Sequence, residues 1–223
     1  MGEVFVGACF ALPSQPSAVF VTGTDTHVGK SVACAWMLRG LDGDYWKPVQ
    51  AGLDAPTDMA MVQRMSGLPA QRFHPEVWRL EAPLAPQIAA QRQGIRLELA
   101  QVVVPVTHRP LVVEGAGGVL VPLSPRLLMV DLMVHLGFPV VLVARTALGT
   151  INHTLLSLEA LRSRGLSVLG VILNGPREPE TARVIRHHGR VAWLAELPLL
   201  QELTPQSLDG VPGLGTDENI LGL

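Results

Sequence analysis

Short runs of apolar, often β-branched residues recur along the chain, separated by stretches in which apolar positions return every three or four residues. Ala18–Thr22, Tyr45–Val49, Leu111–Glu114, Val140–Ala144, Val168–Asn174 and Val191–Leu194 show the first pattern and predict strands. Lys30–Arg39, Thr57–Met65, Pro125–Leu136, Thr150–Arg164 and Pro179–His188 predict helices, the fourth of them stopped by Gly165. Nearly continuous apolar strands imply burial on both faces, hence a mostly parallel sheet. Their alternation with helices implies right-handed crossovers and helices on both faces. The predicted fold is therefore α/β, with ligands at the carboxyl ends of the strands. Residues 66–110 have no clear period, and Gly115–Gly118 reads as a turn after the third strand.

Length and composition narrow the class. The 223 residues fit one domain, read as residues 18–223 behind an N-terminal extension of residues 1–17. At 48% apolar and 16% charged residues the chain is neither disordered nor a coiled coil. A net charge of −2 gives no field that would draw it to nucleic acid or acidic lipid. The basic cluster at Arg183, Arg186, His187, His188 and Arg190 reads as a solvated helix face. No run of about 18 apolar residues predicts a membrane span, and the N-terminal stretch lacks the basic start of a signal peptide. Only Cys9 and Cys34 are present, so no disulfide framework is expected and a cytoplasmic location is. Of the 17 basic residues only Lys30 and Lys47 are lysines; where solvated cations are arginines, a retained lysine suggests chemistry that wants a compact point charge.

Lys30 lies in the segment Gly23-Thr24-Asp25-Thr26-His27-Val28-Gly29-Lys30-Ser31, between the first predicted strand and the first helix. A strand, a loop ending Gly-Lys-Ser and then a helix is the setting of a phosphate-binding loop. Backbone N–H groups and the helix N-terminus would face phosphates, Lys30 would reach the β and γ oxygens, and Ser31 could hold Mg²⁺. The first glycine is one position earlier than the usual spacing demands, since residue 24 is Thr.

That displacement, in Val21-Thr22-Gly23-Thr24-Asp25-Thr26, resembles the dethiobiotin synthetase family of P-loop proteins. Further segments carry the resemblance: Lys47-Pro48-Val49-Gln50-Ala51-Gly52, Val113-Glu114-Gly115-Ala116-Gly117-Gly118, Leu148-Gly149-Thr150-Ile151-Asn152-His153, Asn174, and Glu196-Leu197-Pro198-Leu199. It implies an ATP-dependent cyclo-ligase of biotin biosynthesis. One amine of 7,8-diaminononanoate captures CO2 as a carbamate, ATP phosphorylates the carbamate, and the second amine closes the ureido ring of dethiobiotin. The resemblance also implies a homodimer.

Site residues follow from the same match, each beside a plainer reading. Lys47 would neutralise carbamate and γ-phosphate charge, or be an exposed strand-end lysine. Glu114 would serve Mg²⁺, or be a turn or cap acid; Asp58 would join it, or offset a helix dipole. Ser31, Asp58 and Glu114 make an all-oxygen set suited to Mg²⁺. The resemblance assigns ATP to Thr26, His27, Val28, Gly29, Lys30, Ser31, Val32, Gly115, Ala116 and Gly117. Asn174 and Gly175 would face adenine, or form a simple Asn-Gly turn. Pro198, Leu199 and Leu200 would wall the adenine, or merely pack. Ala51, where the family usually has Ser or Thr, and Asn152 would lie at the substrate; Asn152 could instead cap its helix. His153, His187 and His188 read as structural. The competing function is a nucleotide-switch ATPase of the partition or septum-positioning type. Against it, the loop lacks an extra early lysine and the tail, residues 211–223, has no basic residue.

Overall fold

The computed structural model describes residues 17–212 except 55 and 193. The expected N-terminal extension, apart from Ser17, and the tail beyond residue 212 lie outside the described residues.

Seven strands form one sheet in which every neighbouring pair is parallel. In chain order the elements begin with β1 (Ala18–Gly23), α1 (Lys30–Leu41), β2 (Asp44–Trp46), β3 (Val49–Ala51) and α2 (Asp58–Ser66). β4 (Phe73–His74), β5 (Trp78–Leu80), α3 (Pro86–Gln93), β6 (Leu111–Gly118), β7 (Pro122–Ser124), β8 (Leu127–Leu128) and α4 (Met129–Leu136) follow. The chain continues with β9 (Val140–Arg145), α5 (Thr150–Ser163), β10 (Val168–Asn174), α6 (Pro179–His188), β11 (Leu194–Leu197) and α7 (Pro205–Asp209). The sheet order is β11-β10-β9-β1-β6-β2-β4.

That order explains the layers. From β1 the chain first moves outward through β2 to β4, then returns to β6 and runs the opposite way through β9, β10 and β11. Right-handed crossovers put the helices of the two directions on opposite faces. Accordingly, α1 and α2 pack one core with Val19, Val21, Val112, Val141, Val143 and Ile172, where α7, which follows the last strand and connects no two strands, joins them. α3, α4, α5 and α6 pack the other with Phe20, Val113, Leu142, Val171 and Leu173. Adjacent strand residues go to opposite cores, the period of two of extended backbone. Both cores are closed to solvent, with Phe20, Val21, Val112, Val113, Val141 and Leu142 all at 0% exposure. The loops at the carboxyl ends of β1, β2, β9 and β10 thereby meet at one edge.

Several boundaries differ from the sequence expectation. The predicted strand Tyr45–Val49 breaks at Lys47-Pro48, where the chain leaves the large sheet and β3 pairs with β5 instead. Proline has no N–H to donate to a ladder; here its carbonyl accepts from Val77 and Trp78 N–H, both at 3.0 Å. Gly115–Gly118 is not a turn: β6 continues through it, and Gly118 pairs with Gly23 of β1. Its glycines serve close packing, since a Cβ at Gly115 would lie 2.8 Å from the Phe20 ring. The predicted helix Pro125–Leu136 starts at Met129, because residues 122–128 form a hairpin and the Asp131 carboxylate accepts from Leu128 N–H at 2.7 Å. Val191 still bonds back to Arg186 of α6, so the last strand begins at Leu194 rather than Val191. Residues 66–110 hold short elements, which explains their weak periodicity.

Candidate active site

The loop after β1 leads into α1 through Gly29, which adopts φ 95°. No side chain caps α1 and no acid lies in its first turn. A helix N-terminus without a capping side chain presents free N–H groups and a positive dipole end, which suits an anion. His27 also sits at positive φ, 59°, on the exposed loop. The Lys30 side chain is buried, 7% exposed, and its Nζ donates to the Asp25 carbonyl at 3.0 Å. Asp25 further accepts from Thr26 N–H at 2.7 Å and faces Arg145 of β9 at 3.8 Å.

Beneath the helix start lies a compact ionic cluster. The strand alternation puts Tyr45, Lys47 and Glu114 on the face covered by α1. Lys47 Nζ is 3.0 Å from Glu114 Oε1, 3.2 Å from Asp58 Oδ2 and 3.2 Å from the Gly115 carbonyl. Ser31 Oγ donates within reach of both Asp58 Oδ1 at 3.0 Å and Glu114 Oε1 at 3.1 Å. Tyr45 donates its hydroxyl to Glu114 Oε2 at 2.9 Å. Lys47 and Glu114 are 3% and 1% exposed, while the Asp58 side chain opens 27% of its surface to solvent. Thr57 caps α2 and so fixes Asp58 as its first residue.

Burial lowers the Lys30 ammonium below its ordinary value; Lys47 pushes the same way, while Glu114 and Asp58 oppose. Ser31, the residue after Lys30, bonds the same Asp58 and Glu114 carboxyl groups that hold Lys47. Burial also works against the Lys47 ammonium, but the Glu114 and Asp58 carboxylates outweigh it and hold this lysine above its usual range. Burial raises the Asp58 carboxyl, yet Lys47 and the Ser31 hydroxyl more than reverse that and leave it low. The cluster thus holds one lysine between two carboxyl groups and a hydroxyl below an open helix N-terminus.

The chain matches the AAA domain family over residues 17–207. It is 50% identical over 194 residues to the ATP-dependent dethiobiotin synthetase BioD of Paramagnetospirillum magneticum, covering 87% of this chain and 94% of that protein. The protein of the same name from Nitrobacter hamburgensis is 51% identical over 190 residues, 85% of this chain and 90% of its own. That of Brucella ovis is 48% identical over 192 residues, 86% and 91% respectively. The chain belongs to the dethiobiotin synthetase family. These relatives give no support to the alternative of a nucleotide-driven switch.

The structure brings some of the residues singled out by the dethiobiotin synthetase motifs together and leaves others apart. Ser31, Lys47, Asp58, Glu114 and Gly115 form the cluster just described, while the Lys30 side chain bonds the loop carbonyl of Asp25. Asn174, at the end of β10, meets the phosphate loop itself: its amide Nδ2 donates to the Val28 carbonyl at 3.1 Å. Thr26 is exposed, Val32 half-buried against the α1 core, Ala116 buried, and Gly117 at φ 67°. Pro198 and Leu199 are exposed and Leu200 is half-buried, on the loop after β11 beside the Asn174-Gly175 turn. Ala51 ends β3, half-buried, and Gln50 Nε2 donates to its carbonyl at 3.1 Å. Asn152 is exposed in the first turn of α5 and does not cap it; Gly149, at φ 92°, occupies that position. The helix thus starts at a residue whose left-handed backbone favours glycine.

Two members of the site were not singled out from sequence. Tyr45 is the only tyrosine of the chain, two residues before a scarce lysine, which was the available signal. Gln50, 3% exposed, accepts from Asp58 N–H at 3.4 Å and so ties β3 to the start of α2; a lone glutamine gave no such signal. Cys34 is fully buried on α1, in the core role expected of it. Among the described residues no helix is long and apolar enough to cross a membrane.

Proposed function

We propose that this chain is an ATP-dependent dethiobiotin synthetase, as its relatives are named, closing a ureido ring from 7,8-diaminononanoate and CO2 as an enzyme of the cytoplasm. The observation that carries the reading is the Lys47 ammonium, buried and held between Asp58 and Glu114 below the free N-terminus of α1. A reaction that gathers a carbamate, a triphosphate and a leaving phosphate at one point needs fixed positive charge there.

One amine of the diamine attacks CO2 and loses a proton, giving a carbamate. A carbamate oxygen then takes the γ-phosphoryl group and ADP leaves. The second amine attacks the activated carbonyl carbon, the carbon–oxygen bond to phosphate breaks, and a proton is lost as the cyclic urea forms. Tethering of the second amine gives the closure a high effective molarity. In this scheme Lys30 and the N–H groups of residues 29–32 bind the β- and γ-phosphates, and Lys47 faces the carbamate and the transferred group. Asp58 and Glu114 keep Lys47 protonated and oriented. Asn174, Gly175 and residues 198–200 would receive the adenine.

Ser31, Asp58 and Glu114 would hold Mg²⁺. Their fit is supported by chemistry visible in the cluster: three hard oxygen donors converge, and a cation, the Lys47 ammonium, already lies within 3.2 Å of both carboxylates. When bound there Mg²⁺ supplies charge neutralisation to the phosphate oxygens. Asn152 and the open N-terminus of α5 would meet the substrate carboxylate across a homodimer interface. Support for a second copy comes from Leu148, fully exposed beside Gly149, and from Leu156 on α5, 56% exposed.

The test is ATP consumption with 7,8-diaminononanoate and bicarbonate, read by product mass. Dethiobiotin, strict dependence on Mg²⁺ and loss of turnover in Lys47→Ala are expected. ATP hydrolysis indifferent to the diamine would refute the assignment.

A further inference from the structure

Asn174 and Val28 are 146 residues apart in sequence and 3.1 Å apart as amide donor and carbonyl acceptor. Because the acceptor is a carbonyl, the amide nitrogen must face it, and no flip of the side chain would preserve the bond. The neighbouring Gly29 makes the same contact from the other side: a Cβ there would lie 2.0 Å from Asn174 Nδ2. The amide thus fills the space left by the glycine and bonds the peptide that precedes it. Gly29 is also the residue whose φ of 95° turns the loop into α1 and exposes the first N–H groups of that helix.

The Asn174 side is itself anchored. Gly175 N–H donates to the Leu197 carbonyl at 2.9 Å, and a Cβ on Gly175 would lie 2.3 Å from Thr146 Oγ1. The turn that carries the amide is therefore wedged between the ends of β9 and β11.

We infer that Asn174 is a positioning residue for the phosphate loop: through Val28 and Gly29 it holds the loop backbone in its anion-binding form. It governs affinity for the polyphosphate chain itself, beyond any contact with a base. The inference rests on reading this loop as the triphosphate site.

Base-free binding separates the two roles. Wild type, Asn174→Ala and the near-isosteric Asn174→Asp are titrated calorimetrically with inorganic tripolyphosphate and, separately, with ATP, each with Mg²⁺. Loss of one amide–carbonyl hydrogen bond is expected to weaken tripolyphosphate by about three- to tenfold and ATP by at least as much. In turnover, KM for ATP rises while KM for the diamine at saturating ATP stays put, which general structural damage would not produce. Gly29→Ala attacks the contact from the loop side; it weakens tripolyphosphate as well, and less than additively with Asn174→Ala, because its Cβ then no longer meets the amide. Unchanged tripolyphosphate affinity in both Asn174 variants, with ATP alone weakened, overturns the inference and leaves Asn174 a base contact only. A wild-type protein that binds ATP but not tripolyphosphate refutes instead the premise that this loop holds the phosphates.

Discussion

Replacing Glu114 by Gln tests whether the ionic cluster is a single unit. The carboxylate accepts from Lys47 at 3.0 Å, Tyr45 at 2.9 Å and Ser31 at 3.1 Å, and is 1% exposed. A glutamine of the same shape has no charge, and its amide must turn N–H groups toward at least one of those donors. Removing one partner of a buried ion pair costs about 3–5 kcal/mol. Lys47 keeps Asp58 at 3.2 Å, which places Glu114→Gln near the lower end, about 3 kcal/mol. For a chain of this size that corresponds to a fall of about 6–12 °C in Tm. Thermal unfolding without nucleotide or metal reads it directly. Lys47→Met together with Glu114→Gln should lose less than the sum of the two changes, with a coupling of about 1–3 kcal/mol. A Tm within about 2 °C of wild type for Glu114→Gln, or strict additivity in the double variant, would refute the idea that these charges hold one another in place.

Lys30→Met should abolish turnover yet leave Tm equal to or above that of wild type, because burial of this ammonium is unfavourable in the folded state; a fall of more than about 3 °C argues against that. The Asp58 carboxyl, held low in the fold, titrates with the opposite sign of effect. Its contribution is fully present above the unfolded carboxylate value of about 3.9 and is lost as pH falls through the lower folded value. Between pH 5 and pH 2, Asp58→Asn should therefore show a shallower loss of unfolding free energy than wild type in urea titrations, and parallel curves would contradict the pairing with Lys47.

The division between sequence and tertiary information runs along sequence separation. The strand–helix alternation, the α/β class and the phosphate loop could be read directly, because each depends on residues within one or two turns of chain: apolar periods, and a glycine, a lysine and a serine at the start of one helix. Family resemblance pointed to Lys47, Asp58, Glu114 and Asn174 one by one, but no local pattern joined them. Only the sheet order did, by placing β6 between β1 and β2 and so bringing Glu114 to Lys47, 67 residues away, and to Ser31, 83 residues away. The same pairing kept Gly115–Gly118 in the sheet, where local propensity reads a turn, and broke the second strand at Pro48. Local chemistry determined which elements form; which side chains share charge and hydrogen bonds was decided by parallel strand pairing, since hydrogen-bonded neighbours in such a sheet lie far apart along the chain.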